Sequence, residues 1–543
     1  MCALYQHGQW KPGRIERGEL DNSQDKFDIV IYGATPAGIA SAVAAARMGR
    51  SVALIDTHAH IGGMAASGLG KSDVEKPEYI GGIFSEFTRR VLAHYENVFG
   101  PRSKEVQLCK AGYYYEPHVA ESVFESMVAE HEAIVVLRLH RLLSVRTESA
   151  RLTAIHLLDM ERDEPRELTG TVFLDASYEG DLYAAAGAGF RLGRESRDVF
   201  DEPLAGYIYY DFDNGVMLPG TTGEGDDGLP AWTYRLFLCS EPDNSVAITA
   251  PPPDYDRKVY TPYFEDLEAG RMGGPKNFHE GRGYFPAHFN TMVRALSVTR
   301  MPNGKNDVNI NPRPLAFPFP EENRGYTEGD WATRQRIEAR HRNLALGLLW
   351  FLQNDEEIPE AHREMAREYQ LPRDEFVDNG HFPWQLYVRE ARRLDGCYTI
   401  TQQDVSIGEG TPREFHHDDV IAMGEFPIDS FPVHKRQPHD SVVLEGYLGM
   451  LGHLTRPYKI PYRAMLPKEI DGLIVPGALS ASHVAYSSIR MEPTWMALGH
   501  AAGIAAHLAI AHDCPARAVP MDELRATLRK QGQVVDPPAG SPT

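Results

Sequence analysis

Gly33, Thr35, Gly38 and Asp56 have the types and spacing of a dinucleotide site. The stretch 28–56 reads DIVIYGATPAGIASAVAAARMGRSVALID. Gly33 permits a tight turn, and Gly38 lets the following helix pack closely on the preceding strand. A helix beginning at Pro36 and Ala37 would aim free N–H groups at a pyrophosphate, and Pro36 suits a first helical turn. Asp56 would accept hydrogen bonds from ribose hydroxyls. The common pattern is G-x-G-x-x-G, and Thr35 replaces its second Gly. The Thr hydroxyl is expected to act as a donor there. The competing reading is a plain βαβ unit without a ligand.

The elements that must hold these residues are legible as hydrophobic runs. Ile29–Tyr32 and Ser51–Ile55 read as two strands flanking an Ala-rich helix. Paired glycines follow at Gly62 and Gly63, beside Met64, as a loop lying against a ligand. The stretches 80–97 and 117–131 have helical periodicity, and 135–159 reads as a β meander. Thr171–Leu174 is a buried strand ending at Asp175, followed by a Gly turn and an Ala-rich helix. From about residue 200 the chain becomes rich in Pro, Gly, Tyr and Asp, with a long helix near 330–354 and a strand near 384–395. The stretch 471–477 is again a short apolar strand. A polar loop, 478–490, then leads to a helix opening at Met491, Glu492, Pro493 and Thr494. The fold class expected is α/β: a Rossmann-like domain split in sequence, with an inserted β-rich or α+β substrate domain. The boundaries are an N-terminal arm at 1–26, nucleotide-domain segments at 27–200 and 465–515, a middle domain at 201–464, and a disordered tail at 531–543.

Bulk composition narrows the functional class. The 543 residues carry a formal charge of -21, which disfavours nucleic acid and anionic membranes as partners. No apolar run reaches the ~18 residues of a membrane span, and the N-terminus lacks a signal-peptide core. The five Cys form no C-x-x-C pair, so a dithiol centre, zinc knuckle or disulfide framework is not expected. A cytoplasmic location and no metal follow as expectations; a homo-oligomer stays open.

GATPAGI (33–39), IGGM (61–64), LDASYEGDL (174–182), YVREARRLDG (387–396), PYRAMLP (461–467) and LIVPGALSASHVAYSSIRMEPTWMALGHAAG (473–503) occur in this order. Together they resemble the FAD-dependent oxidoreductase family within the glutathione-reductase-like flavoproteins. The resemblance implies FAD. Gly33, Thr35, Pro36, Ala37 and Gly38 would cradle its pyrophosphate, Asp56 its ribose, and Gly62, Gly63 and Met64 would pass near the isoalloxazine. Asp175 would make a second contact. The helix at Pro493 and Thr494 would aim its positive end at the flavin C2 oxygen, where reduced flavin carries negative charge. No second nucleotide-binding βαβ unit is found, and Gly408-Glu409-Gly410 reads as a loop.

The resemblance also places the loop 482–490 near the flavin ring. His483 is then the first candidate for proton transfer or flavin contact, Tyr486 for holding a substrate oxygen, and Arg490 for a carboxylate or the flavin pyrimidine edge. The competing reading is that His483 and Arg490 cap the helix. Gln402, Gln403, Asp404, Asn309, Asn311 and Arg313 suit local backbone roles ahead of substrate contact. His416 and His417 beside Asp418 and Asp419 read as a solvated turn. The function expected is oxidation of a small, ring-containing substrate by hydride transfer to flavin N5, with electrons leaving to oxygen or another acceptor. The alternatives are a monooxygenase or reductase using transiently bound NAD(P)H, and a non-catalytic flavoprotein subunit.

Overall fold

The computed structural model describes residues 25–211, 215–268, 296–309, 319–407, 417–435 and 444–538. Strand β1 (Lys26–Tyr32), helix α1 (Pro36–Arg47) and β2 (Val52–Ile55) form the first βαβ unit, with β1 and β2 parallel. Helices α2 (Gly82–Phe99) and α3 (Pro117–Ala129) lead to β3 (Ile134–Leu137), which adds in parallel outside β2. The chain then makes the antiparallel meander β4 (His140–Glu148), β5 (Arg151–Asp159) and β6 (Glu164–Asp175). The far half of β6 runs parallel to β1, pairing Ile29 with Val172 and Tyr32 with Asp175. Helix α4 (Asp181–Ala185) closes this segment.

The middle of the chain supplies smaller pieces. Strands β7 (Leu236–Cys239), β8 (Val298–Arg300) and β9 (Lys305–Val308) form a sheet in the order β7-β9-β8. Helix α5 (Trp331–Asn354) follows, then the antiparallel pair β10 (Val420–Gly424) and β11 (Tyr458–Pro461). The chain returns to the main sheet with β12 (Leu473–Ile474), parallel to β6, and ends with α6 (His483–Ile489), α7 (Glu492–Ala511) and α8 (Met521–Lys530). The main sheet thus has seven strands, in the order β3-β2-β1-β6-β5-β4 with β12 also on β6. It is mixed α/β. Ile29, Val30, Ile31 and all of β2 are buried on both faces, hence the unbroken apolar runs.

Helix α7 is long and apolar enough to cross a membrane by length and composition, but 83% of that window is buried inside the protein. Its partner is α1. A Cβ on Gly499 would lie 2.1 Å from the Ala37 carbonyl oxygen, and one on Gly503 would lie 2.3 Å from that of Ser41. The Ser41 hydroxyl donates to the Gly499 carbonyl at 2.9 Å. The two helices therefore touch backbone to backbone.

Several expectations are corrected. The stretch 384–395 is not one strand: Arg393 and Leu394 pair with Arg191 and Phe190, and Tyr387 makes a single bridge to Thr233. Its side chains are spread over distant partners, which an extended hydrophobic pattern does not reveal. The loop 478–490 contains a helix, α6, capped by the Ser482 hydroxyl accepting from the Ala485 amide. Gln402–Val405 is a helical turn with a Thr401–Asp404 capping box. The tail is not loose as far as Asp536, because Gln533 and Val535 are buried and Asp536 pairs with Arg525 and Arg529. The N-terminal arm up to residue 24, Asn311, Arg313, the 408–410 loop and His416 lie outside the described residues.

Candidate functional site

The turn after β1 is built around its glycines. Gly33 has φ +103, and a Cβ there would sit 2.7 Å from the Ser177 amide nitrogen. A Cβ on Gly38 would sit 1.9 Å from the Gly33 carbonyl oxygen. Thr35 caps α1, accepting from the Gly38 amide at 3.3 Å. Its hydroxyl proton goes to the Ala176 carbonyl at 2.8 Å. Thr35 thus ties the turn to the loop after β6, and its donor does not face the phosphate position. Asp56 accepts from the Ala34 amide at 2.8 Å and from the His58 amide at 2.9 Å. Burial opposes a charge on His58, but its hydrogen bond to Asp56 and the nearby charges of Asp56, Glu338 and Glu179 together outweigh this and raise its pKa.

A cleft of about 360 Å³ opens over this turn. Gly33, Thr35, Asp56 and His58 line one side. Ser177, Tyr178 and Glu179 line the second, and Trp331, Arg334 and Arg392 the third. No partner among the described residues takes the amides of Thr35 and Ala37, so both remain for an anion at the α1 N-terminus. Asp181 is held between two cations, accepting from Arg334 Nη2 at 2.7 Å and Arg392 Nη1 at 2.8 Å. Burial and then the Asp181 charge raise neighbouring Glu179 to about 7. The glycine cradle and the open amides at the α1 N-terminus fit a dinucleotide.

Asp175 does not line this cleft. Its carboxylate accepts from the Ser177 amide, the Ser177 hydroxyl at 2.6 Å and the Tyr183 amide, and burial raises its pKa to about 6. It shapes the loop that presents Ser177–Glu179. Gly62 and Gly63 both have positive φ. Gly62 donates to the Ala34 carbonyl at 2.8 Å, and the Met64 amide donates to the Tyr178 hydroxyl at 2.9 Å. The Tyr178 hydroxyl reaches Glu492 Oε1 at 2.6 Å, where Pro493 and Thr494 continue the first turn of α7. Burial raises Glu492 to about 8, so a carboxyl group stands at the end of α7 that was expected to face the ligand directly.

The cluster on α6 is buried. His483 Nδ1 is 2.9 Å from Glu390 Oε2, and its Nε2 is 3.2 Å from the Ser430 hydroxyl. Glu390 is also 2.9 Å from Arg393. The Tyr486 hydroxyl is fully buried and has no hydrogen-bond partner among the described residues; burial drives its pKa upward. Arg490 donates to the Tyr387 hydroxyl at 2.9 Å and to the Asp429 carbonyl at 2.8 Å. Gln402 accepts from the Leu204 amide and Asp404 caps its own turn, so both serve the backbone. Asn309 accepts from Arg389.

Tyr178, Glu390, Ser430 and Glu492 escaped sequence reasoning. Only the order YVREARRLDG pointed toward Glu390, without giving it a role. Glu116, His118 and Glu375 form a three-residue group able by geometry to hold a metal. The Lys305 ammonium sits within it, 3.1 Å from Glu116.

Comparisons with solved structures give partial likenesses of low similarity. Glycerol-3-phosphate dehydrogenase from Bacillus halodurans, complexed with FAD, is 14% identical over 35% of this chain and 43% of that one, with a TM-score of 0.22. OxyS anhydrotetracycline hydroxylase from Streptomyces rimosus is 13% identical over 32% and 38%, with a TM-score of 0.22. THI4 from Thermovibrio ammonificans is 18% identical over 32% and 68%, with a TM-score of 0.23. The chain thus spans less than half of the first two. No curated protein matches it. A family profile described as FAD dependent oxidoreductase matches residues 28–528. The chain belongs to that FAD-dependent oxidoreductase family, and FAD is its cofactor.

Proposed function

We propose that this enzyme oxidises a small organic substrate, with the electrons passing on to oxygen or another acceptor, and that His483 moves the substrate proton. The observation that supports this reading is His483, buried with both ring nitrogens engaged between Glu390 and Ser430. When bound, FAD supplies the two-electron acceptor.

The residues of the chain do the rest. Glu390 accepts from His483 Nδ1, a tautomer set by the hydrogen-bond network, which leaves Nε2 to accept from the Ser430 hydroxyl, through which the substrate proton reaches it. The carboxylate then stabilises the imidazolium formed when Nε2 takes a proton. Arg393 Nε, 2.9 Å from the Glu390 carboxylate, orients it. Tyr486 offers a buried, unpartnered hydroxyl on the same helix for a substrate oxygen. The aromatic-rich middle region, 201–464, forms the substrate side.

The test is anaerobic bleaching of the flavin band by a panel of alcohols, amines and acids. His483→Asn is expected to keep full FAD content while slowing bleaching roughly 10²–10⁴-fold. Bleaching at the unchanged rate removes His483 from the reaction. Absence of FAD from the purified protein removes the whole reading. Exposing the reduced protein to air then separates an oxidase, which reoxidises fast and releases peroxide, from a dehydrogenase.

A further inference from the structure

Arg389 is 1% exposed, and among the described residues no carboxylate lies within ion-pair distance of it. Its neighbours differ. Arg235 has Asp307 at 2.7 Å, and Arg490 has Asp429 at 3.6 Å. Among the described residues Arg389 donates only to neutral oxygens, the Ala231 carbonyl at 2.8 Å and Asn309 Oδ1 at 3.4 Å, and its Nε has no partner there. The guanidinium lies 3.7 Å from the Phe431 ring centre and 4.4 Å from that of Tyr387. Such cation–π contacts are weaker than the loss of hydration of a whole buried ion. Burial, with repulsion from Arg490 and Arg235, holds its pKa down at about 9 against Tyr387 and Asp429. An arginine in this state has one positive charge unmatched.

Two more buried polar nitrogens also lack a partner among the described residues. Trp232 Nε1, on the residue after Ala231, has no acceptor. Nor has His341 Nε2, which lies close enough for the Arg389 charge to add to its lowered pKa. We propose that Arg389 anchors an anion site that takes the carboxylate of the substrate, with Tyr387 joining this site to Arg490. The unpaired guanidinium fork fits a planar carboxylate, and the flanking rings fit an organic body. This inference rests on the proposed oxidoreductase function and narrows its substrate to organic acids.

The experiment uses the FAD-loaded full chain, with benzoate as probe and benzamide as its uncharged counterpart. Benzoate is expected to raise Tm and to perturb the visible flavin band saturably, whereas benzamide does neither. Arg389→Lys keeps the charge but loses the fork, and is expected to weaken benzoate roughly tenfold. Arg389→Met is expected to abolish the response with FAD content unchanged. Trp232→Phe, which removes one N–H and little volume, is expected to weaken it severalfold and serves if Arg389→Met does not fold. Equal responses to benzoate and benzamide overturn the proposal. So do variants that bind benzoate like the parent, and so does loss of FAD with benzoate binding intact, which would give Arg389 to the flavin. Protein that holds no FAD sinks the oxidoreductase reading instead, while the benzoate shift in Tm still reports on Arg389.

Discussion

The Tyr178 hydroxyl lies 2.6 Å from Glu492 Oε1 across 314 residues of chain. Met64 donates its amide to the same hydroxyl, so the loops after β2 and β6 and the first turn of α7 meet at one phenol. Burial raises Glu492 from 4.5 to about 8. Between those values the folded protein holds a proton that the unfolded chain has released, so this group makes stability fall as pH rises. Its contribution is complete below about pH 4.5 and lost through pH 8. Glu492→Gln is expected to flatten the decline and to be more stable than the parent at pH 8 by roughly 1–3 kcal/mol. Urea melts of both proteins at pH 5 and pH 8 check this. Parallel curves would refute it.

Thr35 makes two bonds that glycine at its position cannot. Thr35→Val, which keeps the shape and removes the hydroxyl, is expected to destabilise by about 1–2 kcal/mol and to weaken FAD retention as the turn parts from Ala176. Thr35→Ser is expected to match the parent. FAD retained after dilution, followed by fluorescence, measures both.

Gly499 has no room for a methyl group, since the atom it would strike is a backbone carbonyl oxygen. Gly499→Ala is expected to push α7 away from α1 and to destabilise by on the order of 2–4 kcal/mol. A thermal melt reads this directly. An alanine variant with unchanged Tm would show that the helices are not held this close.

Glu390 acts through His483. Glu390→Gln is expected to lower the rate of substrate-dependent flavin reduction and to move the acidic limb of its pH profile, because the imidazolium loses its carboxylate partner. A purely structural role would lower the rate at every pH without moving the limb. The pH profile separates the two.

Backbone requirements were legible in the residue types. Gly33 and Gly38 mark places where a side chain collides with nearby backbone, and such needs write themselves as glycine. Doubly buried strands wrote themselves as apolar runs. The 384–395 segment misled because its residues answer to distant partners: Arg389 to Ala231, Glu390 to His483, Arg392 to Asp181, Arg393 to Glu195. No local period records such contacts. Helix α6 escaped because it is seven residues of mixed polarity, although Ser482 at its cap and Ala485 three residues on fit a helix start. Asp175 was found by position, but its acceptor capacity is spent on its own loop, which position alone does not reveal.

The contact of α1 with α7 sets a timetable for biosynthesis. The first βαβ unit leaves the ribosome early, but the helix that covers α1 and the strand β12 that completes the sheet beside β6 come more than 400 residues later, by ~20–80 s at typical elongation rates. Until then the Ala-rich face of α1 is bare. The nascent chain thus carries an adhesive surface through nearly all of its synthesis. A ribosome-stalled chain ending before residue 490 is expected to recruit chaperones and to retain no flavin, whereas one extended past residue 511 is expected to release them.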